Sequence, residues 1–163
     1  MAKSIDIDID VANSVSSLGV AYLWGPVFMF VVFQNRRGFC MTLAIVAAMG
    51  ASESVKRLTR SSKWKCLKRP DGARDCNISN GGGLVAGRPG FPSGHCATSA
   101  TFWTCVLFLV PPQFRMAILI VGIVMTVAMM WARMKKRCHS FFQSISGVLL
   151  GVGIGAITGL TCF

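Results

Sequence analysis

The sequence predicts an all-α membrane protein, a polytopic bundle of about five transmembrane helices. Of its 163 residues 53% are hydrophobic and only 14% are charged, a balance that is unusual for a soluble domain. The apolar residues form long uncharged runs, and a bilayer span needs about 20 such residues. Five runs in so short a chain argue against a soluble helical core. We place the helices at residues 15–34, 38–57, 94–110, 114–132 and 140–162.

The N-terminal residues 1–14 form an acidic, low-complexity tail in which Asp alternates with Ile. A secretory signal peptide begins with basic residues, so this start indicates that the helix over 15–34 is retained. Pro26 inside that helix predicts a kink, which neighbouring helices tolerate in a membrane. Residues 15–163 then form one transmembrane domain.

Small residues and prolines shape the middle helices. The helix over 38–57 is rich in Ala and Gly, which favours close packing in a membrane. The helix over 94–110 follows a Pro-Ser-Gly-His turn and stops at Pro111 and Pro112. We therefore expect a short hairpin into the helix over 114–132.

The last helix carries a stripe of residues with a spacing of four. The stripe consists of His139, Gln143, Gly147, Gly151, Gly155 and Gly159. Residues four apart are neighbours on a helix surface, and small residues let another helix approach closely. The glycines are structural in this interpretation, and His139 and Gln143 face the bundle.

One long segment, residues 58–92, is a strongly basic loop. The net charge of +11 would suit nucleic acid, but the basic residues cluster beside the predicted spans. Lipid head groups or a phosphorylated substrate are the closer partners, and we expect no nucleic-acid binding. A loop of this length is either functional or disordered.

The alternation of spans brings several polar residues to one side of the membrane. The basic loop 58–92 follows the second helix, Ser93 and His95 begin the third, Arg133 ends the fourth, and His139 begins the fifth. One helix more or fewer between any two of these points would separate them. Both histidines of the chain therefore lie on the same face.

This set of residues suits a phosphate group. Guanidinium groups bind phosphate oxygens bidentately, and the free N–H groups of a helix start add donors. Imidazole can act as nucleophile or as acid near neutral pH. There is no carboxylate cluster and no set of metal ligands, so we propose no metal site and no cofactor, and the pattern predicts phosphoryl transfer to water.

The sequence resembles the type 2 phosphatidic acid phosphatase (PAP2) superfamily of lipid phosphate phosphatases. Its three signatures match Lys56…Arg69-Pro70, Pro92-Ser93-Gly94-His95 and Arg133-x5-His139. The resemblance covers about residues 56–151 and implies metal-independent hydrolysis of a lipid phosphate or diphosphate in the membrane.

The resemblance also implies roles for individual residues. His139 would be the nucleophile that forms a phosphohistidine, and His95 the acid that protonates the leaving group. The phosphate would be held, and the transition state stabilised, by Lys56, Arg69, Ser93, Gly94 and Arg133.

The chain departs from the family pattern in three respects. The lysine of the first signature is Lys56 or Lys63, and we prefer Lys56 because it ends an apolar span; an ordinary helix-surface pair with Glu53 is the alternative. Gln143 replaces the usual aspartate, as in the dolichyl-diphosphate phosphatase branch. Family members commonly have six spans, which leaves room here for another subunit of a homo-oligomer to complete the bundle.

Charge, family resemblance and loop motifs bear on which side of the membrane carries the site. All of the 17 basic residues except Arg36, Arg37 and Arg115 lie on the site's side, which by the positive-inside rule would be the cytosol. Family members more often act on the lumenal or outer face, residues 77–79 form a glycosylation sequon, and Cys66 and Cys76 of the loop could pair in an oxidising compartment. We expect an extracytoplasmic or lumenal site in a multi-pass protein.

Three rival functions stay open. The first is a PAP2-fold membrane protein that binds lipid without turnover, which Gln143 and the irregular first signature favour. The second is a small channel or transporter, but the spans hold no buried acidic pair and no inverted repeat. The third is haloperoxidase-like chemistry with vanadate, against which the membrane spans argue.

Overall fold

The computed structural model describes residues 7–33, 35–77 and 80–163. Within these ranges the chain forms five α-helices and no β-strand, which confirms the predicted all-α bundle. The helices are α1 (Ile7–Phe33), α2 (Arg36–Leu58), α3 (Gly94–Leu109), α4 (Arg115–Lys135) and α5 (Phe141–Cys162). Two short 3₁₀ helices, Lys65–Leu67 and Pro112–Phe114, lie in the connections.

In the part of the chain that the structure describes, four helices are long and apolar enough to cross a membrane, namely α1, α2, α4 with the short helix before it, and α5. Helix α3 has only 16 residues, about 24 Å at 1.5 Å per residue, so it is shorter than a typical span. It contacts all four other helices, and seven of its residues are buried. We expected five equivalent spans, and the structure shows four candidate spans that pack around a shorter central helix, α3.

Helix α1 begins earlier than residue 15, where the apolar run led us to place its start. The acidic segment 7–14 is already helical, and the Asp8 carboxylate accepts a hydrogen bond from Lys135 Nζ at 2.7 Å. Asp8 and Asp10 lie in the first turn, where negative charge is favourable for a helix. The remainder of the predicted tail, residues 1–6, lies outside the described residues.

Helices α3 and α5 are in very close contact along the glycine stripe. A Cβ atom at Gly147 would overlap the carbonyl oxygen of Ser93, and one at Gly151 would overlap that of Ala97. Thr101 Oγ1 also donates to the Gly151 carbonyl at 3.1 Å. The structural interpretation of this stripe is confirmed, and the contact fixes the start of α3 against α5.

The alternation of helices brings the ends of α2 and α4 and the starts of α3 and α5 to one end of the bundle. The loop over 59–93 folds back over that end. Gln143 Nε2 donates to the carbonyls of Cys66 and Lys68 at 2.9 and 2.7 Å, and Ser93 N donates to the Gln143 carbonyl at 2.9 Å. The long loop is therefore docked onto the helices, and it covers the end where the predicted site lies.

Candidate active site

A cavity of about 290 Å³ lies under the loop at this end of the bundle. Five of the seven predicted site residues line it, namely Lys56, Arg69, Gly94, His95 and His139. They come from α2, the loop, the start of α3 and the turn before α5. Both histidines of the chain thus face one enclosed space together with two cationic side chains.

His139 lies in the turn between α4 and α5 and is 2% exposed. Its position is set by the residue after it, because Ser140 caps α5 and Gln143 completes a capping box. Nδ1 of His139 lies 3.3 Å from Gln143 Oε1. The glutamine that replaces the family's aspartate thus places an amide oxygen beside the ring.

The orientation of the Gln143 amide defines the tautomer of His139. Its Nε2 donates to two loop carbonyls, so its Oε1 must face the other way, where it also accepts from Ser140 N at 3.2 Å. An acceptor opposite Nδ1 requires that Nδ1 carry the proton. The lone pair of the ring is then on Nε2.

Arg69 holds the other side of the His139 ring. Its Nη1 donates to the Cys138 carbonyl at 3.0 Å and lies 3.4 Å from His139 Nε2. Burial, and then the positive charges of Arg69, Arg133 and Lys56, hold the pKa of His139 well below its usual value of 6.5. The ring is therefore neutral at neutral pH.

His95 lies in the first turn of α3. Its Nε2 is buried and has no hydrogen-bond partner among the described residues. The neighbouring Ser93 caps the helix, since its Oγ accepts from Cys96 N at 3.5 Å, and its own N–H is used by Gln143. The first N–H groups of an α-helix have no partner within the helix, so those of Gly94 and His95 are the donors that this helix start can offer.

Lys56 and Gly94 meet across the cavity. Lys56 is only 9% exposed although it carries a charge, and its Nζ donates to the exposed carboxylate of Glu53. A Cβ atom at Gly94 would lie 3.1 Å from Ser52 Oγ and 3.7 Å from Lys56 Nζ. Both interpretations of Lys56 apply, because it forms the helix-surface pair and also lines the cavity, whereas Lys63 is exposed.

Two predicted site residues do not line the cavity. Ser93 is buried behind it as the helix cap described above. Arg133 is fully buried, with Nη1 donating to Ser16 Oγ at 3.0 Å and Nη2 to the Cys76 carbonyl at 2.6 Å. Its Nε has no hydrogen-bond partner among the described residues. Arg133 lies close enough to act electrostatically on both histidines.

The structure answers the open question of whether Cys66 and Cys76 pair, and they do not. Cys76 pairs with Cys138, which is 62 residues away, and Cys66 is free and exposed. Docking of the loop places Cys76 against the turn that precedes α5, which contains Cys138. The sequon 77–79 of the same loop includes residues 78 and 79, which lie outside the described residues.

Several contributors to the site were missed. Glu53 lines the cavity, but the sequence suggested only a surface pair. The sequence also showed no sign of two contacts. The Gln143 Nε2 group donates to carbonyls of the loop, and Ser16 accepts from Arg133. Neither contact leaves a pattern in the sequence, because each joins residues that are far apart along the chain. For the disulfide, the sequence offered one sign, which is that Cys138 directly precedes the candidate nucleophile His139.

Comparison with known proteins places this arrangement in a family. The PAP2 superfamily profile matches residues 37–161, which include every predicted site residue. The chain belongs to the PAP2 superfamily. Proteins of the PAP2 superfamily are generally phosphatases.

Other matches to this PAP2 protein are limited. It is 38% identical over 69 residues to a protein of Klebsiella pneumoniae described as an uncharacterized 22.5 kDa protein in the cps region. That match covers 40% of this chain and 33% of the relative. The matched part of the chain thus spans about a third of the relative's length. No solved structure matches the chain significantly.

Proposed function

We propose that the protein is a metal-independent phosphatase that hydrolyses a lipid phosphate or lipid diphosphate through a phosphohistidine on His139. The observation that carries the proposal is that His139 and His95 line one cavity together with Lys56 and Arg69. An anion is the ligand that such a cavity favours, and the two imidazoles supply a nucleophile and an acid. Among the described residues, no group of His, Cys, Asp and Glu side chains is arranged to hold a metal ion.

In the first step, Nε2 of His139 attacks phosphorus. Its lone pair is available because Nδ1 carries the proton that faces Gln143 Oε1 at 3.3 Å. A phosphorus–nitrogen bond forms and the bond from phosphorus to the leaving oxygen breaks. The ring becomes positively charged, and Gln143 stabilises that charge less than a carboxylate would.

His95 supplies the proton that the leaving oxygen needs. Burial and the charges of Arg133 and Lys56 hold the pKa of His95 well below 6.5, and the negative charge of a bound phosphate raises that pKa, so His95 acts from its protonated form once the substrate is bound. Among the described residues its Nε2 has no hydrogen-bond partner, so it can donate to the leaving oxygen of the substrate. In the second step, His95 takes a proton from water while the water oxygen attacks phosphorus. The phosphorus–nitrogen bond breaks, inorganic phosphate leaves, and both rings return to their starting state.

The cationic side chains stabilise the negative charge that develops on the phosphoryl oxygens. Arg69 and Lys56 line the cavity, and Arg133 lies buried behind it. Charges removed from water act more strongly on a bound anion, because the effective dielectric constant is lower there. The N–H groups of Gly94 and His95 add donors at the start of α3.

A lipid substrate suits the position of the cavity. Gly19 of α1 and Met49 of α2 line it together with the polar residues, and both belong to helices that can cross a membrane. A phosphate head group can therefore reach the histidines while its chains stay in the bilayer. These contacts do not select one lipid, so the proposal covers both monophosphates and diphosphates.

The second candidate function is lipid binding without turnover. Gln143 in place of a carboxylate is the observation that favours it. The test is incubation of the purified protein with phosphatidic acid, lysophosphatidate and an isoprenyl diphosphate, with His139→Ala and the exposed-residue variant Lys63→Ala as the matched pair. We expect phosphate release by wild type and by Lys63→Ala, none by His139→Ala, and no effect of a chelator.

Two outcomes would contradict the proposal. Binding of all three lipids without phosphate release would establish the second candidate instead. Release that a chelator abolishes would show that the histidines do not act alone.

A further inference from the structure

The two halves of the Cys76–Cys138 disulfide each hold one of the site's arginines. The carbonyl of Cys138 accepts from Arg69 Nη1 at 3.0 Å, and the carbonyl of Cys76 accepts from Arg133 Nη2 at 2.6 Å. The disulfide thus joins the two backbone points that orient the two guanidinium groups. Cys138 also directly precedes His139.

The disulfide is part of the packed wall of the site. Cys76 and Cys138 are 4% and 0% exposed, and they form a small cluster with Ala73, Val85 and Ala86. Cys76 itself lines the cavity. In the part of the loop that the structure describes, the disulfide joins the segment after Arg74 covalently to the turn between α4 and α5. This link does not depend on hydrogen bonds.

We propose that the Cys76–Cys138 disulfide positions Arg69 and Arg133 for phosphate binding, and that the site therefore faces an oxidising compartment. This inference rests on the proposed function for its kinetic consequence. The bond forms when two thiols give two electrons and two protons to a thiol–disulfide oxidant of that compartment. Disulfides of this kind form and persist outside the cytosol.

The excess of basic residues on the same side does not contradict this orientation. Several of these residues are engaged within the protein. Lys136 Nζ donates to the Asp75 carbonyl and to Asn80 Oδ1 at 3.1 and 2.6 Å, and Lys135 pairs with Asp8. Arg69 and Arg133 have the contacts described above. Basic residues that form contacts within the protein serve its structure, so they do not count under the positive-inside rule as evidence for the cytosolic side.

The first experiment reduces the folded, purified protein with a phosphine and follows three quantities. Maleimide labelling after denaturation should rise from five cysteines to all seven. The value of kcat/KM should fall roughly tenfold to hundredfold, the usual cost of removing groups that orient a site, with KM for the lipid phosphate rising. The helical circular dichroism should stay unchanged, and reoxidation should restore kcat/KM.

Three variants serve as controls in that experiment. Cys76→Ser/Cys138→Ser should reproduce the reduced enzyme and should not respond to the phosphine. Cys162→Ser, at the far end of α5, should respond as wild type does. A wild type whose kcat/KM and KM are unchanged after complete reduction would overturn the positioning role. A fall in kcat/KM that the double variant also shows on reduction would do the same.

Binding of radiolabelled inorganic phosphate separates this inference from the proposed function. If the oxidised protein releases no phosphate from any lipid, the proposed function fails. Weaker phosphate binding after reduction would still support the disulfide's role in that case, and unchanged binding would overturn it.

The second experiment measures which side the site faces. Cys66 is a free, exposed cysteine beside the site, and Cys162 lies at the opposite end of the bundle. In intact cells, a membrane-impermeant maleimide should label wild type and Cys162→Ser but not Cys66→Ser. Labelling that persists in Cys66→Ser and is lost in Cys162→Ser would place the site in the cytosol and overturn the inference.

Discussion

Gln143 Oε1 accepts a hydrogen bond from His139 Nδ1 at 3.3 Å while its Nε2 is bound to two carbonyls of the loop. One side chain thus orients the candidate nucleophile and fastens the loop that covers it. An aspartate could perform only the first of these tasks, because it has no N–H donor. The glutamine is therefore a structural part of this site as well as a substitute for a carboxylate.

Substitution of Gln143 should affect both tasks. We expect Gln143→Ala to lower kcat roughly tenfold to hundredfold, as the loss of a group that orients a catalytic histidine typically does. Gln143→Glu keeps an acceptor for Nδ1, so it should lower kcat less than Gln143→Ala does. It also turns a carboxylate towards the carbonyls of Cys66 and Lys68, so it should lower the thermal unfolding midpoint below that of wild type. Equal kcat in wild type and Gln143→Ala would show that His139 does not depend on this contact.

The pH profile should report the lowered pKa of His139. Because burial and nearby cations keep the ring neutral, kcat/KM should hold as the pH falls through about 6.5, the usual value, and should decline only at lower pH. Arg69→Gln removes the first of those charges, so it should raise the pKa and move the acid limb to higher pH. Lys63→Gln should leave the limb in place. A limb that does not move in Arg69→Gln, or moves to lower pH, would contradict the assignment.

The two candidate lysines should differ in their effect. Lys56 is buried in the cavity wall, whereas Lys63 is exposed. A hydrogen bond to a charged group contributes about 1.5–3 kcal/mol, so Lys56→Met should lower kcat/KM roughly tenfold to hundredfold. Lys63→Met removes the same charge and should stay within about twofold of wild type. The opposite pattern would assign the first signature to Lys63.

The contact of α5 with α3 should be sensitive to one added methyl group. At Gly147 a Cβ atom would overlap the Ser93 carbonyl, whereas at Gly153 nothing lies within 4 Å. We expect Gly147→Ala to destabilise the protein by roughly 1–3 kcal/mol and to lower activity, because Ser93 begins α3 beside His95. Gly153→Ala should be neutral or stabilising, and the two unfolding midpoints in detergent make the comparison. Similar midpoints would mean that the helices separate easily.

The part of the site that depends on helix alternation could be predicted from sequence. Apolar runs mark helices, and the alternation of helices places Lys56, His95 and His139 at one end without further information. The special status of α3 could not be predicted in this way. An apolar helix enclosed by other helices and one that faces lipid have similar compositions, so only the contacts distinguish them.

The contacts made by the docked loop could not be predicted either. The pairing of Cys76 with Cys138 and the bonds from Gln143 to the loop carbonyls join residues more than 60 positions apart. They depend on where an irregular segment lies, and backbone carbonyls carry no mark in a sequence. The hydrogen bond from Arg133 to Ser16 could not be predicted for the same reason, because it forms only when α1 packs beside α4.

Trapping of the reaction intermediate tests the central claim most directly. The protein is mixed with a lipid phosphate that carries a radiolabel on the terminal phosphoryl group, denatured in alkaline detergent, digested, and mapped by mass spectrometry. We predict an acid-labile, alkali-stable phosphoryl group on His139 that is present in wild type, forms more slowly in His95→Gln because the leaving oxygen then lacks its acid, and is absent from His139→Ala. Rapid release of labelled phosphate with no label on His139 would contradict a phosphohistidine mechanism at this site.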